Sequence, residues 1–177
     1  MLLPALASAR EKARRAQCLN NIREIGKAIT MYAGDFGDRT PAAGGTAAGS
    51  LVVTQFSLTS GYLQYPKVLQ CPSGSKQQAA TWSVAGDTNC NYAYQGAGQD
   101  GKTNMTSMAD PNDIVVWDQS PVNAVAGANA PTTVITNGWQ TLSHKGAGGN
   151  VLFGDVHVAW QSRIPTNANA GFLDPGP

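Results

Sequence analysis

The chain has 177 residues, enough for one domain with a real core, and its formal net charge is +1 with only 13 % charged residues. That balance excludes a strongly basic nucleic-acid binder and a highly charged disordered chain. The charge is uneven: seven basic and four acidic residues up to Arg39 leave the first part at +3, while five basic and seven acidic residues leave the remainder at −2. A modestly basic segment on a slightly acidic domain fits a membrane surface or a partner helix better than a nucleic acid. Gly, Ala, Ser, Thr, Asn and Gln abound, which suits a loop-rich exported protein, and three cysteines agree with an oxidising compartment.

From Leu2 to about Gly34 the sequence predicts one long helix. It has no glycine before Gly26, a single proline at Pro4, and a middle rich in Ala, Arg, Glu, Lys and Gln, which are good helix formers. Pro4 is tolerated in a first turn, where its missing N–H has no partner to lose. Cys18, Ile22, Ile25, Ile29 and Tyr32 recur at spacings of 4, 3, 4 and 3 and therefore share a face. Upstream, Leu6, Ala9, Ala13 and Ala16 form a thinner stripe flanked by Arg10, Glu11, Lys12, Arg14 and Arg15. Such a helix is about 45–50 Å long at ~1.5 Å per residue, longer than the head that the remaining residues can build. One end should protrude and seek a partner. Met1–Ala7 is too short to span a membrane and reads as the tail of something longer.

Gly34-Asp35-Phe36-Gly37-Asp38 ends the helix, and Thr40–Ser50 is a loop by composition. Leu51–Leu63 is open between a strand and a short helix. Pro66–Ser75 is a loop carrying Cys71-Pro72. Asn91–Gln95 alternates and predicts a strand, and Ile114–Trp117 is an apolar strand suited to the centre of a sheet. In Asn150–Trp160, two β-rich runs flank Gly154-Asp155, which predicts a hairpin. The fold class is therefore α+β: residues 1–34 form a long N-terminal helix, and residues 35–177 form a loop-rich head whose small antiparallel sheet packs on it, in one domain overall.

Candidate chemistry is sparse. Gly96–Thr103 matches the phosphate-loop pattern G-x-x-x-x-G-K-T, but no amphipathic helix follows to face a phosphate, and only ten residues separate Thr103 from Ile114. A glycine-rich hairpin loop is the better reading, and no nucleotide is expected. His144, Asp155 and His157 carry metal or catalytic chemistry only if the fold gathers them; a turn-shaping Asp155, a strand residue His157 and a loop-bonding His144 are the simpler roles. Asp118 ends an apolar strand. If it meets Asp155, the two carboxylates would suit a Ca²⁺ ion, with Asp100 a further oxygen donor. Cys71 and Cys90 lie in turn-rich sequence and are the disulfide candidate. Cys18 on the helix face fits a buried thiol, and a Cys18–Cys71 bridge stays open.

These residues together resemble the type IV pilin-like proteins, including the pseudopilins of type II secretion. LLPAL, A-R-E-K-A-R, Cys18, the N-N-x-x-x-I-G of Asn20–Gly26 and the Y-A-x-D of Tyr32–Asp35 stand in the family's order. Pro66–Ser73 is similar to P-K-V-F-x-C-P-S, Asn91–Tyr94 to its S-Y-x-Y strand, and Pro111–Asp118 to a P-x6-D segment. Ser143–Trp160 resembles the C-terminal H-x9-D-G element. Two departures stand out: ten residues separate His144 from Asp155, and Val156 replaces the glycine after the aspartate.

The resemblance implies a structural subunit rather than an enzyme. It would be held in the bacterial inner membrane by an N-terminal half that this sequence lacks, cleaved by a prepilin peptidase, and assembled with copies of itself and other pilin-like subunits on the periplasmic or cell-surface side. Leu2, Leu3 and Leu6 would continue the filament core. Arg10, Arg14 and Arg15 would meet phospholipid headgroups or neighbouring subunits, and Ile22, Ile25 and Ile29 would hold the head. The alternative is a pilin-like surface protein whose head binds an extracellular ligand such as a glycan. That reading needs two or more of Trp82, Trp117, Trp139 and Trp160 exposed in one groove.

Overall fold

The computed structural model describes residues 2–41, 52–85, 87–94, 114–118, 143–144 and 147–162. Helix α1 runs Leu2–Asp35, 34 residues in one piece. Its end is set by local geometry. Gly37 takes a left-handed conformation (φ 67°), which lets the Asp38 N–H reach back to the Ala33 carbonyl at 2.7 Å. That is the glycine-dependent helix stop in which an N–H five residues on caps an orphan carbonyl.

A short helix, α2 (Val52–Ser57), resolves the ambiguity of Leu51–Leu63 in favour of helix. It presents Val53 and Phe56 to the core. A single turn at Pro66–Leu69 follows. Among the described residues four strands follow: β1 (Tyr92–Tyr94), β2 (Ile114–Asp118), β3 (Gly149–Phe153) and β4 (Val158–Gln161). They form one antiparallel sheet in sequence order, with Ala93 opposite Trp117, Trp117 opposite Val151 and Val151 opposite Ala159. The apolar Ile114–Trp117 run is thus an interior strand. The β2–β3 register shifts between Ile114 and Val116, a bulge. The architecture is α+β, a long N-terminal helix packed on a four-stranded antiparallel sheet.

The core lies between α1 and the sheet. Cys18, Ile22, Ile25, Ala28 and Ile29 from α1 join Phe56, Leu69, Tyr92, Tyr94, Val115, Val116 and Leu152. Gly26 marks the closest approach of helix to sheet: a Cβ there would stand 2.8 Å from a Leu152 methyl. Each fully buried aliphatic side chain of this set contributes about 1.5–3 kcal/mol by leaving water. The grip on the helix is one-sided along its length. Pro4–Arg10 are exposed throughout, burial starts partially at Glu11, and it becomes complete only at Cys18. Among the described residues, no helix is long and apolar enough to cross a membrane.

The β3–β4 connection differs from the expected two-residue turn. The Val156 N–H bonds the Phe153 carbonyl at 2.8 Å and the Phe153 N–H bonds the His157 carbonyl at 3.0 Å. This leaves a three-residue loop, Gly154–Val156, whose last residue is left-handed (φ 68°). That position is ordinarily glycine, and it is where the resemblance carries one. Here a β-branched residue occupies it at a steric cost of about 1–2 kcal/mol, while its side chain packs against the core.

Candidate functional site

The chemistry-bearing residues of the described structure converge where the middle of α1 crosses the end of the sheet. Glu11, seven residues before Cys18, lies on the same helical stripe, as does Arg15. The stripe Cys18–Ile22–Ile25–Ile29 therefore continues toward the N-terminus in polar form. Leu6, Ala9, Ala13 and Ala16, the small-residue stripe, stay exposed, with Leu6 at 49 %.

His144 sits at the centre and is fully buried as a side chain. Its Nδ1 lies 2.9 Å from Glu11 Oε1, and its Nε2 lies 3.3 Å from Asp118 Oδ2 and 3.6 Å from Cys71 Sγ. Trp160 closes one side, its ring edge-on to the imidazole at 5.3 Å between centroids, with the Arg15 guanidinium 4.3 Å over the indole. Such a cation–π contact is worth roughly 0.5–2 kcal/mol. Ser73 Oγ donates to the Glu11 carboxylate at 3.2 Å, and Arg15 pairs with Glu11 at 3.6 Å.

Asp118 belongs to β2 and is held by the neighbouring strand. The Asn150 backbone N–H and side-chain amide both donate to its Oδ2, at 2.7 and 3.0 Å. Its other oxygen, Oδ1, is buried with no hydrogen-bond partner among the described residues.

Burial by itself would depress the His144 pKa. The hydrogen bond and charge of Asp118, then those of Glu11, outweigh it, and the imidazole is pushed above its ordinary value of 6.5. Burial likewise works to raise the Glu11 carboxyl, but the hydrogen bonds from His144 and Ser73 and the charges of His144 and Arg15 hold it below 4.5. The arrangement is a carboxylate–imidazole–carboxylate chain, linking α1 to β2 through a loop residue that is 133 positions from Glu11.

Beside this chain, Cys18 of α1 is bonded to Cys71. The Cys71–Cys90 candidate is thereby corrected. Cys90 is a buried thiol outside the disulfide, and its Sγ donates to the Tyr92 carbonyl at 3.3 Å. The reason is the helix phase: Cys18 faces the loop after Leu69, where Asn21 also bonds the Gln70 carbonyl at 2.8 Å. Asn91 accepts from the Cys71 N–H at 3.1 Å, fixing Cys71 toward α1.

The Asp118–Asp155 calcium pairing is also corrected. Asp118 lies beside Asn150, whereas Asp155 lies beyond Phe153, in the hairpin loop at the other end of β3. At ~3.3 Å per residue they are separated by roughly 15 Å. Asp155 instead accepts from the His157 backbone N–H at 3.1 Å and pairs with the His157 ring. That backbone hydrogen bond, then the side-chain one, lowers the Asp155 pKa. His157 stacks on Phe153 at 4.4 Å between centroids and is exposed, far from His144 in role and position.

Ile22, Ile25 and Ile29 are completely buried against the head. Arg10 and Arg14 are exposed, Arg14 with its Nη1 4.0 Å from Glu11 Oε2, while Arg15, grouped with them from the sequence, is half-buried and bound to Glu11 and Trp160. Of the tryptophans, Trp117 is buried and the Trp82 Nε1–H donates to the Leu63 carbonyl at 3.0 Å. Trp160 lies under Arg15. The described residues thus offer no groove with two exposed indoles. Gly96–Thr103 with Asp100, Trp139, and the side chains of Leu2 and Leu3 lie outside the described residues. Sequence reasoning passed over Glu11 as one of several solvated charges. The signal was there in its spacing of seven from Cys18, in phase with the buried stripe.

A family model described as "Protein of unknown function (DUF1559)" matches residues 7–54, that is, most of α1 and the chain up to the start of α2. No curated protein and no solved structure matches the chain.

Proposed function

We propose that this chain is a structural subunit of a type II secretion or type IV pilus-like filament, assembling through α1. The observation that carries the reading is the one-sided grip on the helix. Pro4–Arg10 leave the head fully exposed, about 10 Å of helix by its rise, and the family-model match falls on this helix and the segment after it. An exposed extension of one continuous helix, carrying a half-exposed Leu6 and exposed alanines, is a surface for helix-on-helix packing. In this reading Leu2, Leu3 and Leu6 continue a filament core built from the same helix of neighbouring copies. Arg10 and Arg14 meet anionic headgroups before assembly or acidic groups of neighbours after it. Arg15 serves the head instead. The partners are further copies, other pilin-like subunits, the assembly machinery and the inner membrane, on the periplasmic or cell-surface side. The head's role is structural, with no catalysis.

The test is expression of the complete open reading frame beside a prepilin peptidase, followed by electron microscopy. Cleaved protein in helical filaments with α1 at the centre supports the proposal. Leu6→Asp should abolish those filaments while leaving the melting temperature of the head unchanged. Cleaved protein that stays unassembled under every condition, or filaments indifferent to Leu6→Asp, would overturn it.

A further inference from the structure

The buried junction between α1 and the head also has the makings of a metal site. Four potential ligand atoms, from Cys18, Cys71, Asp118 and His144, all lie within 4.8 Å of one another, and all four residues are buried. A tetrahedral zinc ion sits about 2.3 Å from sulfur and about 2.0–2.1 Å from nitrogen or oxygen, so its N···S edge is about 3.6 Å and its N···O edge about 3.3 Å. The corresponding separations here are 3.6 Å from His144 Nε2 to Cys71 Sγ and 3.3 Å from His144 Nε2 to Asp118 Oδ2. The sulfur–sulfur edge is held closed by the covalent bond, and the remaining edges lie within 4.8 Å.

The surroundings match what a metal-bound histidine and carboxylate need. Glu11 fixes the His144 ring through Nδ1 at 2.9 Å, leaving Nε2 to face the sulfurs, the usual carboxylate support behind a zinc-bound imidazole. Asp118 is oriented by the Asn150 backbone and side chain through Oδ2, while Oδ1 is buried with no hydrogen-bond partner among the described residues. Oδ2, the oxygen 3.3 Å from His144 Nε2, is the one placed to ligate, and Asn150 orients it from behind.

We propose that, when the Cys18–Cys71 bond is reduced, Cys18, Cys71, His144 and Asp118 bind one zinc ion, so that a disulfide and a metal are alternative cross-links at the same point. The exchange balances. A dithiol reductant delivers two electrons and two protons to the S–S bond, giving two thiols and becoming a disulfide itself. Zn²⁺ then displaces both thiol protons, and any proton on His144 Nε2, to solvent. In the other direction a disulfide oxidant takes two electrons from the two sulfurs, the S–S bond re-forms and Zn²⁺ leaves. The helix stays fastened to the head in a reducing compartment as well as an oxidising one.

The test uses the chain as it stands, reduced with a phosphine in anaerobic buffer and titrated with Co²⁺ as a spectroscopic probe, with far-ultraviolet circular dichroism on the same samples. The expected result is one equivalent bound, with the thiolate-to-cobalt charge-transfer and tetrahedral ligand-field bands, both bleached by Zn²⁺. The oxidised chain should show neither band. Cys18→Ser and Cys71→Ser together should remove the thiolate signature of the site, and Glu11→Gln should weaken binding by about 10–100-fold while keeping the band positions. If the reduced chain unfolds, recovery of its helical signal by Zn²⁺ supports the proposal equally. A reduced, folded chain without cobalt bands would overturn it. So would an unfolded one that zinc does not restore, or binding of equal strength to the oxidised chain.

Discussion

Helix α1 is fastened to the head by two kinds of chemistry, placed one after the other along the same stripe. From Ile22 to Ile29 the grip is apolar: three isoleucines at zero exposure pressed on Phe56, Leu69 and Leu152. From Glu11 to Cys18 it is covalent and ionic: a disulfide beside the Glu11–His144–Asp118 chain. The first grip is indifferent to acid, base and reductant. The second depends on all three. The helix can thus loosen from its exposed end without releasing the head, and conditions, not sequence alone, set how far the grip extends.

The contrast is tested most strongly by opening the covalent link. With Cys18→Ala and Cys71→Ala together, a cross-link spanning 53 residues is lost, and the stability to denaturant should fall by about 4 kcal/mol. The fall should be accompanied by faster hydrogen exchange upstream of Cys18 than downstream of it. Next in size, Ile25→Ala should cost about 3 kcal/mol, a typical value for truncating a fully buried aliphatic side chain. That loss should be the same at every pH, because no titrating group is touched.

The ionic part has a direction in pH. His144 is raised above 6.5 in the fold, so its contribution is fully present below pH 6.5 and is lost as pH rises through the raised value. Glu11 is lowered below 4.5, so its contribution is present above pH 4.5 and is lost as pH falls through the lowered value. Stability should therefore decline on the alkaline side with a slope of at most about 1.4 kcal/mol per pH unit per proton. His144→Gln should flatten that decline in urea titrations, whereas Ile25→Ala should leave it intact. The smallest effect concerns the hairpin loop. Val156→Gly and Val156→Ala both lose the side chain's packing, but only alanine keeps the left-handed strain. The glycine variant should be the more stable of the two by about 1 kcal/mol, read from melting midpoints.

What was legible in the sequence was what repeats locally. The 4-3-4-3 spacing from Cys18 gave the helix its buried face, and the β-rich runs around Gly154-Asp155 placed β3 and β4 side by side. The Gly37 stop was readable because one residue type does that work. The polar chain was not, since its contacts span 133 positions between Glu11 and His144 and 32 between Asp118 and Asn150. A carboxylate on a helix looks the same whether it meets water or an imidazole. The disulfide was underdetermined for a similar reason: three cysteines allow three pairings, and only the rotation of α1 selects Cys71 over Cys90. Val156 was visible as a departure from glycine, but its left-handed backbone follows only from a loop of three residues rather than two.

The Cys18–Cys71 bond has a mechanical consequence. A pull applied along α1 from its exposed end reaches Cys18 and passes directly into Cys71, bypassing the chain between them. That shielded stretch, sequence separation 53, would otherwise pay out about 180 Å of contour when extended. With the bond closed, tension cannot unspool it, and the isoleucine stripe, α2 and the turn at Pro66–Leu69 all lie inside the protected loop. The bond acts as a strain relief at the root of the helix, so that a pull on the exposed end of α1 does not unravel the segment between Cys18 and Cys71.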